Sequence, residues 1–390
     1  MSFGLYLHFP FCRSKCLYCD FFSLTDAVPH EAYARAIERE CRLREPFWQG
    51  RLAQSLYLGG GTPTLWDAPF LRRAMDALRD QISFAPAAEW TIEANPGTVD
   101  APRLSACREA GFNRLSIGVQ SFDDALLSSM GRVHTAREAI QAAEAAREAG
   151  FESLSLDLIH GLPGQTRAGA MADLETALSL QPDHLSLYEL MVDHLETETP
   201  LSRDVASGVV RLPDEETVFE MGRALAERAS LAGFTRYEIS NFARAGHDSR
   251  HNQLYWTGGE YLGLGCGAVG FALDDPGDPA RGGRRWQNTR DMGRYLSALT
   301  RGELPEASGE RLDGQTLFEE FVMLGLRRSA GVDLALARER FQVSRGRIEA
   351  IQSRALVLAR EGLLQIDGTR MVATREGLDL HTSLALNLLR

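Results

Sequence analysis

Apolar residues gather in six short runs along the first half of the chain. Segments with helical spacing of apolar residues lie between most of them, for example residues 31–45 and 136–151. Alternation of strand and helix favours a parallel sheet with right-handed crossovers, here an α/β fold with a partial (β/α)6-type barrel. The runs are apolar almost throughout, as in strands buried on both faces: LYLHF (5–9), SLYLGG (55–60), WTIEA (90–94), RLSIGV (114–119), SLSLDLI (153–159) and HLSLYEL (184–190).

Polar and glycine-rich features recur at the carboxyl end of each run. Barrels of this kind carry their chemistry on the loops that follow the strands. Because one feature follows each of six successive runs, the sequence predicts a shared site at this end of the barrel. In chain order the features are a cysteine triplet (12–19), GGGTPT (59–64), Glu93 with Asn95, Gln120, Asp157 followed by HGLPGQT, and Tyr188-Glu189.

The second half of the chain has a different pattern. Residues 246–270 are rich in glycine and aromatic residues and are typical of a loop wrapped over another part of the protein. From about residue 311 helices precede the segment LLQIDGTRMVAT (363–374), which predicts two short strands joined through Asp-Gly. We therefore expect a core barrel in residues 1–240, a connecting segment in 241–310 and a small α+β, winged-helix-like domain in 311–390.

Composition narrows the class of protein. Hydrophobic residues make up 44% of the 390 residues and charged residues 24%, as in an ordinary globular protein. The net charge of −11 argues against a nucleic-acid partner, since phosphate binding requires a basic face. No apolar run reaches the length of a membrane span, and the start, MSFGLYLHFPF, resembles no signal peptide. We expect a cytoplasmic protein.

The cysteine triplet is the sharpest chemical signal. Cys12, Cys16 and Cys19 supply three thiolates from one loop. A [4Fe–4S] cluster held by three cysteines leaves one iron open for another ligand. The alternative is a zinc site completed by His8 or Asp20, although structural zinc sites usually combine two Cys-x2-Cys pairs. Two further cysteines, Cys41 and Cys107, lie in helical patterns and are expected to be small buried residues.

Cys-x3-Cys-x2-Cys after a first strand, with Tyr18 before the last cysteine, resembles the radical S-adenosylmethionine (SAM) superfamily. The motifs LYLGGGTPT, EANPG, RLSIGVQSF, MGRVH, DLIHGLPGQT and HNQLYW further resemble its coproporphyrinogen III oxidase-like group, over most of residues 1–270. The resemblance implies that the three cysteines hold a [4Fe–4S] cluster. It implies that SAM is surrounded by Tyr6, Gly60, Gly61, Thr62, Glu93, Gln120, Arg132 and Asp157.

Two subgroups share these motifs. The anaerobic oxidases that decarboxylate coproporphyrinogen III carry a further cysteine where this chain has Phe21. Phe21 and HNQLYW (251–256) resemble instead the heme chaperones of the group, which bind heme and pass it to acceptor proteins. His251, beside Tyr255 and Trp256, is the iron ligand that this resemblance suggests; the alternative is that His251 only forms hydrogen bonds within a loop.

One position departs from the group's pattern. Relatives often have Gly-Ala-His-Gly where this chain has Gly-Ala-Val-Gly, with Val269 in place of the histidine. If that histidine contributes to heme binding in relatives, Val269 cannot take its place, and heme affinity or ligation then differs in this chain. Cys266 is a conceivable thiolate ligand, although a packed small residue is the alternative.

The preferred reading is a heme chaperone with a [4Fe–4S] cluster and SAM, and heme as its cargo. Its expected partners are heme-accepting proteins, an electron donor such as flavodoxin or ferredoxin, and a peripheral membrane contact for heme delivery. The alternative within the resemblance is an oxygen-independent coproporphyrinogen III oxidase. A zinc-stabilised structural or DNA-binding protein is the third class.

Overall fold

The computed structural model describes residues 2–193, 195 and 197–390. All six apolar runs form strands, as predicted, and neighbouring strands pair in parallel from the first to the sixth. The strand interiors are almost fully buried, which explains why the runs are apolar on both faces. The strands are β1 (Ser2–Phe9), β2 (Leu52–Gly60), β3 (Phe84–Ala94), β4 (Arg114–Gln120), β5 (Ser153–His160) and β6 (His184–Glu189).

Helices connect these strands and cover the outer face of the sheet. In the helix from Ala136 to Glu148, Thr135 and Glu138 form a capping box, and four alanines are buried against the sheet. Short 3-10 turns lie at Pro63–Leu65 and Pro96–Thr98. The helices are α1 (His30–Leu43), α2 (Glu45–Trp48), α3 (Ala68–Gln81), α4 (Ala101–Glu109), α5 (Asp124–Ser129), α6 (Ala136–Glu148), α7 (Arg167–Ser179), α8 (Pro200–Ala206) and α9 (Glu215–Leu231).

The six parallel strands form the middle of a larger mixed sheet. Strands β7 (Thr235–Arg236) and β8 (Asn241–Ala243) extend it beyond β6, and β8 runs antiparallel to β6. Beyond β1 come β9 (Tyr261–Leu264), β10 (Val269–Leu273), β11 (Gly283–Asn288) and β12 (Glu306–Leu312). Within the described residues the sheet has twelve strands, and its two end strands, β12 and β7, do not pair with each other. The sheet is therefore an open, partial barrel.

Residues 246–270 differ from the loop that their composition suggests. They contain α10 (Arg250–Trp256) and β9, and β9 pairs in parallel with β1 at the edge of the barrel. The glycines permit close packing here: a Cβ on Gly270 would lie 2.2 Å from the Trp286 ring. The prediction of a loop from the glycine content was thus wrong. The glycines here allow side chains and backbone to approach closely within regular structure.

The carboxy-terminal region has a second hydrophobic core of its own. The Asp-Gly segment forms the predicted hairpin, with Gly368 at a φ of +58° between its strands. A third strand joins the hairpin to make a small antiparallel sheet. Helix α11 (Met292–Thr300) packs in the larger core and leads into β12. The elements of the carboxy-terminal region are α12 (Gly314–Leu326), β13 (Val332–Asp333), α13 (Leu334–Phe341), α14 (Arg345–Arg360), β14 (Leu364–Asp367), β15 (Arg370–Ala373), α15 (Arg375–Asp379) and α16 (His381–Leu389).

The larger core lies between the barrel sheet and its helices and includes Cys41 and Cys107, both buried as expected. A small apolar cluster around Met130 and Leu201 packs against Leu17 and Tyr18 of the cysteine loop. In the described part of the chain, no helix has the length and apolar character needed to cross a membrane.

Candidate site at the barrel mouth

The three cysteines lie in the loop that follows β1, where each is partly exposed and none forms a disulfide. The Thr62 hydroxyl donates to Cys12 Sγ at 3.6 Å, and Arg132 Nη1 donates to Cys16 Sγ at 3.4 Å. Backbone hydrogen bonds also hold the loop: the Cys12 amide donates to Leu24 O at 2.9 Å. The glycine motif and the MGRVH segment therefore both contact the cysteine triplet.

The donor set of this loop fits an iron–sulfur cluster. Burial raises the pKa of the Cys12 thiol and raises that of Cys19 to about 11, with the neighbouring thiols of the triplet adding to both effects. Ligation by a positive metal centre reverses such a shift, because the metal binds the thiolate form. Among the described residues no group of three acidic, cysteine or histidine side chains can hold a single metal ion. A [4Fe–4S] cluster has a different requirement, one thiolate for each of the irons that the protein ligates.

The glycine motif brings the backbone of β2 against β1. Gly60 has a φ of +109°, and a Cβ there would lie 2.4 Å from the His8 imidazole. A Cβ on Gly61 would lie 2.5 Å from the Phe11 carbonyl oxygen. Only glycine fits these two positions, so the motif forms a surface of bare backbone beside the cysteine loop.

Two acidic side chains lie on the inner face of the barrel. Glu93 accepts from the Tyr57 hydroxyl at 2.7 Å and from the Gly60 amide at 3.0 Å. Burial and, to a smaller extent, the Asp157 charge raise the pKa of Glu93 to about 7, against the lowering effect of the two hydrogen bonds. Asp157 accepts from the Ser116 hydroxyl at 3.0 Å, and burial raises its pKa as well.

Gln120 and Arg132 complete the polar wall near the triplet. Gln120 ends β4 at a φ of +69°, a strained conformation for a residue other than glycine. Arg132 Nη2 donates to Gly118 O at 2.5 Å, while its Nε is buried and has no hydrogen-bond partner in the described structure. An unsatisfied buried donor beside the thiols suits an anionic ligand such as a carboxylate.

Tyr6 lies on β1 next to this wall, and its hydroxyl hydrogen-bonds His8 Nδ1 at 2.8 Å. His8 Nε2 hydrogen-bonds the Phe22 carbonyl at 3.0 Å, so both ring nitrogens of His8 are engaged. Burial lowers the pKa of His8 to about 4. His8 therefore supports the position of Tyr6 and has no nitrogen free to complete a zinc site.

Tyr57 is a site residue that the sequence reading missed. Its ring lies 6.2 Å from the Tyr6 ring and 5.2 Å from the His251 ring, in addition to its hydrogen bond to Glu93. The period-two alternation of β2 could have found it, because it puts Tyr57 on the same face as Gly59.

His251 lies in the first turn of α10 and is 1% exposed. Its Nδ1 hydrogen-bonds the Ser55 hydroxyl at 2.9 Å, and its Nε2 hydrogen-bonds the Tyr255 hydroxyl at 2.8 Å. Burial lowers the pKa of His251 to about 3. Since both nitrogens are engaged, iron ligation by His251 would require one of these bonds to break.

Cys266 and Val269 are the two positions that bear on the departure from the group's pattern. Cys266 is fully buried, and its thiol donates to the Thr289 carbonyl at 3.1 Å. Val269 begins β10 and is half-buried. Cys266 is thus a packed residue here, as the alternative in the sequence reading held.

The raised pKa of Glu93 predicts a pH-dependent site. With a pKa of about 7 the carboxyl changes from neutral to ionised near neutral pH, so a cationic ligand beside it, as expected for SAM, should bind better as the pH rises. Affinity for SAM should increase about tenfold from pH 6 to 8, since the ionised fraction does. Equilibrium dialysis on the cluster-loaded protein measures this, and Glu93→Gln should remove the dependence. If the SAM affinity of Glu93→Gln rises with pH as it does in the unaltered protein, Glu93 is not the group responsible for the pH dependence.

The same shift has a consequence for stability. In the folded protein the pKa of Glu93 is about 7, above its usual value of 4.5, so the folded state binds the proton more tightly than the unfolded state. The protonated carboxyl therefore stabilises the fold below pH 4.5, and this contribution is lost as the pH rises to about 7. Glu93→Gln should therefore flatten the fall in the free energy of unfolding across this window.

Comparison with known families agrees with this geometry. The model of the Radical SAM superfamily matches residues 6–177, and the model of the HemN C-terminal domain matches residues 312–380. The structure of coproporphyrinogen III oxidase (HemN) from Escherichia coli superposes with a TM-score of 0.83 at 24% identity, covering 99% of this chain and 90% of that chain. Fold and site together define a radical SAM protein.

Curated relatives narrow the class further. Heme chaperone HemW of Bacillus subtilis (strain 168) is 35% identical over 381 residues, which cover 95% of each chain. Heme chaperone HemW of Escherichia coli (strain K12) is 41% identical over 272 residues, 68% of this chain and 69% of that protein. Within the radical SAM superfamily, the chain belongs to the family of heme chaperone HemW.

Proposed function

We propose that the protein binds heme and delivers it to acceptor proteins in the cytoplasm, with a [4Fe–4S] cluster and SAM at the barrel mouth. With both groups bound, the site would hold a one-electron donor beside the SAM sulfonium. The three cysteines would hold the cluster, with Thr62 and Arg132 donating toward two of their sulfurs. The bare backbone at Gly60 and the carboxylate of Glu93 would face the SAM amino group and sulfonium.

An aromatic cavity beside α10 carries the heme assignment. It lies between the barrel edge and the carboxy-terminal domain and has a volume of about 240 Å³. Its walls include five aromatic rings: Tyr255, Trp256, Tyr261, Phe271 and Phe341. The volume is below the roughly 300–1,000 Å³ of pockets that enclose a whole ligand. The cavity therefore suits one edge of a flat macrocycle whose remainder stays accessible to an acceptor.

Two arginines line this cavity, and one of them gives it a preference for an anionic ligand. Arg285 is already neutralised by Glu310 and Glu320, each at 2.7 Å. Arg340 donates to the carbonyls of Thr257 and Gly258, at 3.1 Å each. In the described residues no carboxylate lies at ion-pair distance from Arg340, which leaves its charge available for a heme propionate.

Hemin titration tests this proposal. Added hemin should give a Soret band, and Arg340→Gln should weaken hemin binding about tenfold because a charge-assisted hydrogen bond is lost. Arg340→Lys keeps the charge and is the matched control, with most of the affinity retained. If the unaltered protein leaves the Soret band of free hemin neither shifted nor sharpened, heme binding is refuted.

The role of His251 is read from the same titration. As an iron ligand, His251 would determine the position of the Soret band, and His251→Gln would shift it. If the band keeps its position in His251→Gln, the histidine instead supports Tyr255 through the hydrogen bond that the two side chains share.

The enzyme alternative has its own test. Incubation of the cluster-loaded protein with SAM, a reductant and coproporphyrinogen III under argon should yield no protoporphyrinogen IX. Appearance of that product would favour the oxidase over the chaperone. The proposed electron donors are tested by the same assay with flavodoxin or ferredoxin as reductant, in which the release of methionine from SAM is measured.

A peripheral membrane contact is tested separately, by measuring heme transfer to and from lipid vesicles.

A further inference from the structure

A buried chain of hydrogen bonds leaves the proposed SAM site at Asp157. The Ser155 hydroxyl donates to Asp157 Oδ1 at 3.2 Å and also contacts His184 Nδ1 at 2.8 Å. His184 Nε2 lies 2.8 Å from the Tyr237 hydroxyl, which accepts the Ser249 amide at 3.3 Å. Ser155, His184, Tyr237 and Ser249 are all at most 4% exposed.

The donors and acceptors fix the direction of this chain. The single hydroxyl proton of Ser155 goes to Asp157, so His184 Nδ1 must carry the proton that Ser155 accepts. His184 Nε2 is then bare and accepts from the Tyr237 hydroxyl, whose oxygen accepts the Ser249 amide. Every donor in the chain therefore points toward Asp157, in one tautomer of His184.

His184 is neutral in this arrangement. Burial lowers its pKa well below the usual value, and the positive charge of Arg114 lowers it further. Arg114 is itself buried and donates to Ser153 and to the His247 carbonyl. A neutral imidazole with one donor and one acceptor nitrogen is what a directed chain requires.

The far end of the chain is the start of α10. Ser249 is the N-cap of this helix, and its hydroxyl accepts the Asn252 amide at 3.3 Å. The Tyr237 carbonyl also accepts the Ser329 amide at 3.0 Å, a contact with the carboxy-terminal region. The chain thus joins an acidic residue of the barrel to the helix that bears Tyr255 and Trp256.

The second acidic residue reaches the same helix. Glu93 accepts from the Tyr57 hydroxyl, and the Tyr57 ring lies 5.2 Å from the ring of His251. His251 in turn hydrogen-bonds Tyr255. Both carboxylates of the barrel mouth are therefore connected to α10, one at its N-cap and one at its first turn.

We propose that His184 is a positioning residue that orients Asp157 for SAM and couples SAM binding to α10 through Tyr237 and Ser249. The inference rests on the proposed SAM site. A cationic ligand at Asp157 favours the ionised carboxylate, which can only accept hydrogen bonds, and so fixes the direction in which Ser155 and the rest of the chain donate. The N-cap of α10, and with it the aromatic cavity, then responds to occupancy of the SAM site.

The test combines SAM affinity with hydrogen exchange in the cluster-loaded full chain. Tyr237→Phe removes one hydroxyl of the chain and should weaken SAM binding about fivefold, as expected for one buried hydrogen bond. In a background of Asp157→Asn it should have no further effect, which is the signature of coupling. SAM should slow amide exchange in α10 of the unaltered protein, and Tyr237→Phe and His184→Gln should abolish that protection.

Tyr295→Phe is the matched control, because the Tyr295 hydroxyl is also buried and donates to a carboxylate, Glu40, at 2.7 Å. It should leave SAM affinity and the exchange response unchanged. If Tyr237→Phe behaves like this control while Asp157→Asn weakens SAM binding, the coupling is refuted and the SAM site stands. If Asp157→Asn has no effect either, the site and the coupling are both refuted.

Discussion

Replacement of Cys16 by serine is expected to abolish cluster binding. Anaerobically reconstituted protein should contain about four iron atoms per chain, and Cys16→Ser should contain less than one. The reason is that the loop offers only three thiols, so that each holds a different iron and the chain has no spare ligand nearby. Arg132 also loses the sulfur to which its Nη1 donates. Iron and sulfide analysis, with the loss of brown colour, measures the effect.

Cys107→Ser is the control for this experiment. Cys107 is 1% exposed and lies in α4, away from the loop after β1. Its replacement should leave the iron content unchanged and affect only the free energy of unfolding. Equal iron loss in Cys107→Ser and Cys16→Ser, or stoichiometric zinc in place of iron, would contradict a cluster held by the triplet.

The barrel strands were predictable because buried strands appear in the sequence as short runs of mainly apolar residues. A strand covered on both faces is largely apolar, and the buried aliphatic positions of β1 to β6 follow this rule, although one face of β5 carries Ser153, Ser155 and Asp157. The position of the site followed from the same rule, since parallel strands bring their carboxyl ends to one edge. Motif resemblance then supplied roles for residues, such as Arg132, that no periodicity could have indicated.

The region after β8 was less predictable. Its strands are short, and its glycines serve close packing, as at Gly270 against Trp286, where a loop was expected. The partners of side chains also cannot be predicted from a single sequence. Nothing in HNQLYW indicates that His251 hydrogen-bonds Ser55, which is 196 residues away. The hydrogen-bond state of a histidine depends on such distant contacts, and only the structure reveals it.

Replacement of Gly60 by alanine should both destabilise the fold and eliminate SAM binding. The left-handed backbone costs an alanine about 1–2 kcal/mol. The added Cβ would also lie 2.4 Å from the His8 ring, and such overpacking costs a further 1–3 kcal/mol. Displacement of His8 disturbs Tyr6, to which it is hydrogen-bonded, and the Gly60 amide no longer faces Glu93. Urea unfolding and equilibrium dialysis with SAM measure the two effects.

Gly164→Ala is the control that separates the two costs of Gly60→Ala, the steric clash of the added Cβ and the left-handed backbone conformation. Gly164 has a φ of +77°, yet nothing lies within 4 Å of the position that its Cβ would take. This variant should lose only the conformational cost of about 1–2 kcal/mol and keep its SAM affinity, because no clash is added. A Gly60→Ala protein that matched it in both measurements would mean that β2 can move away from β1 at the glycine motif. The close approach of the two strands would then have no part in holding SAM.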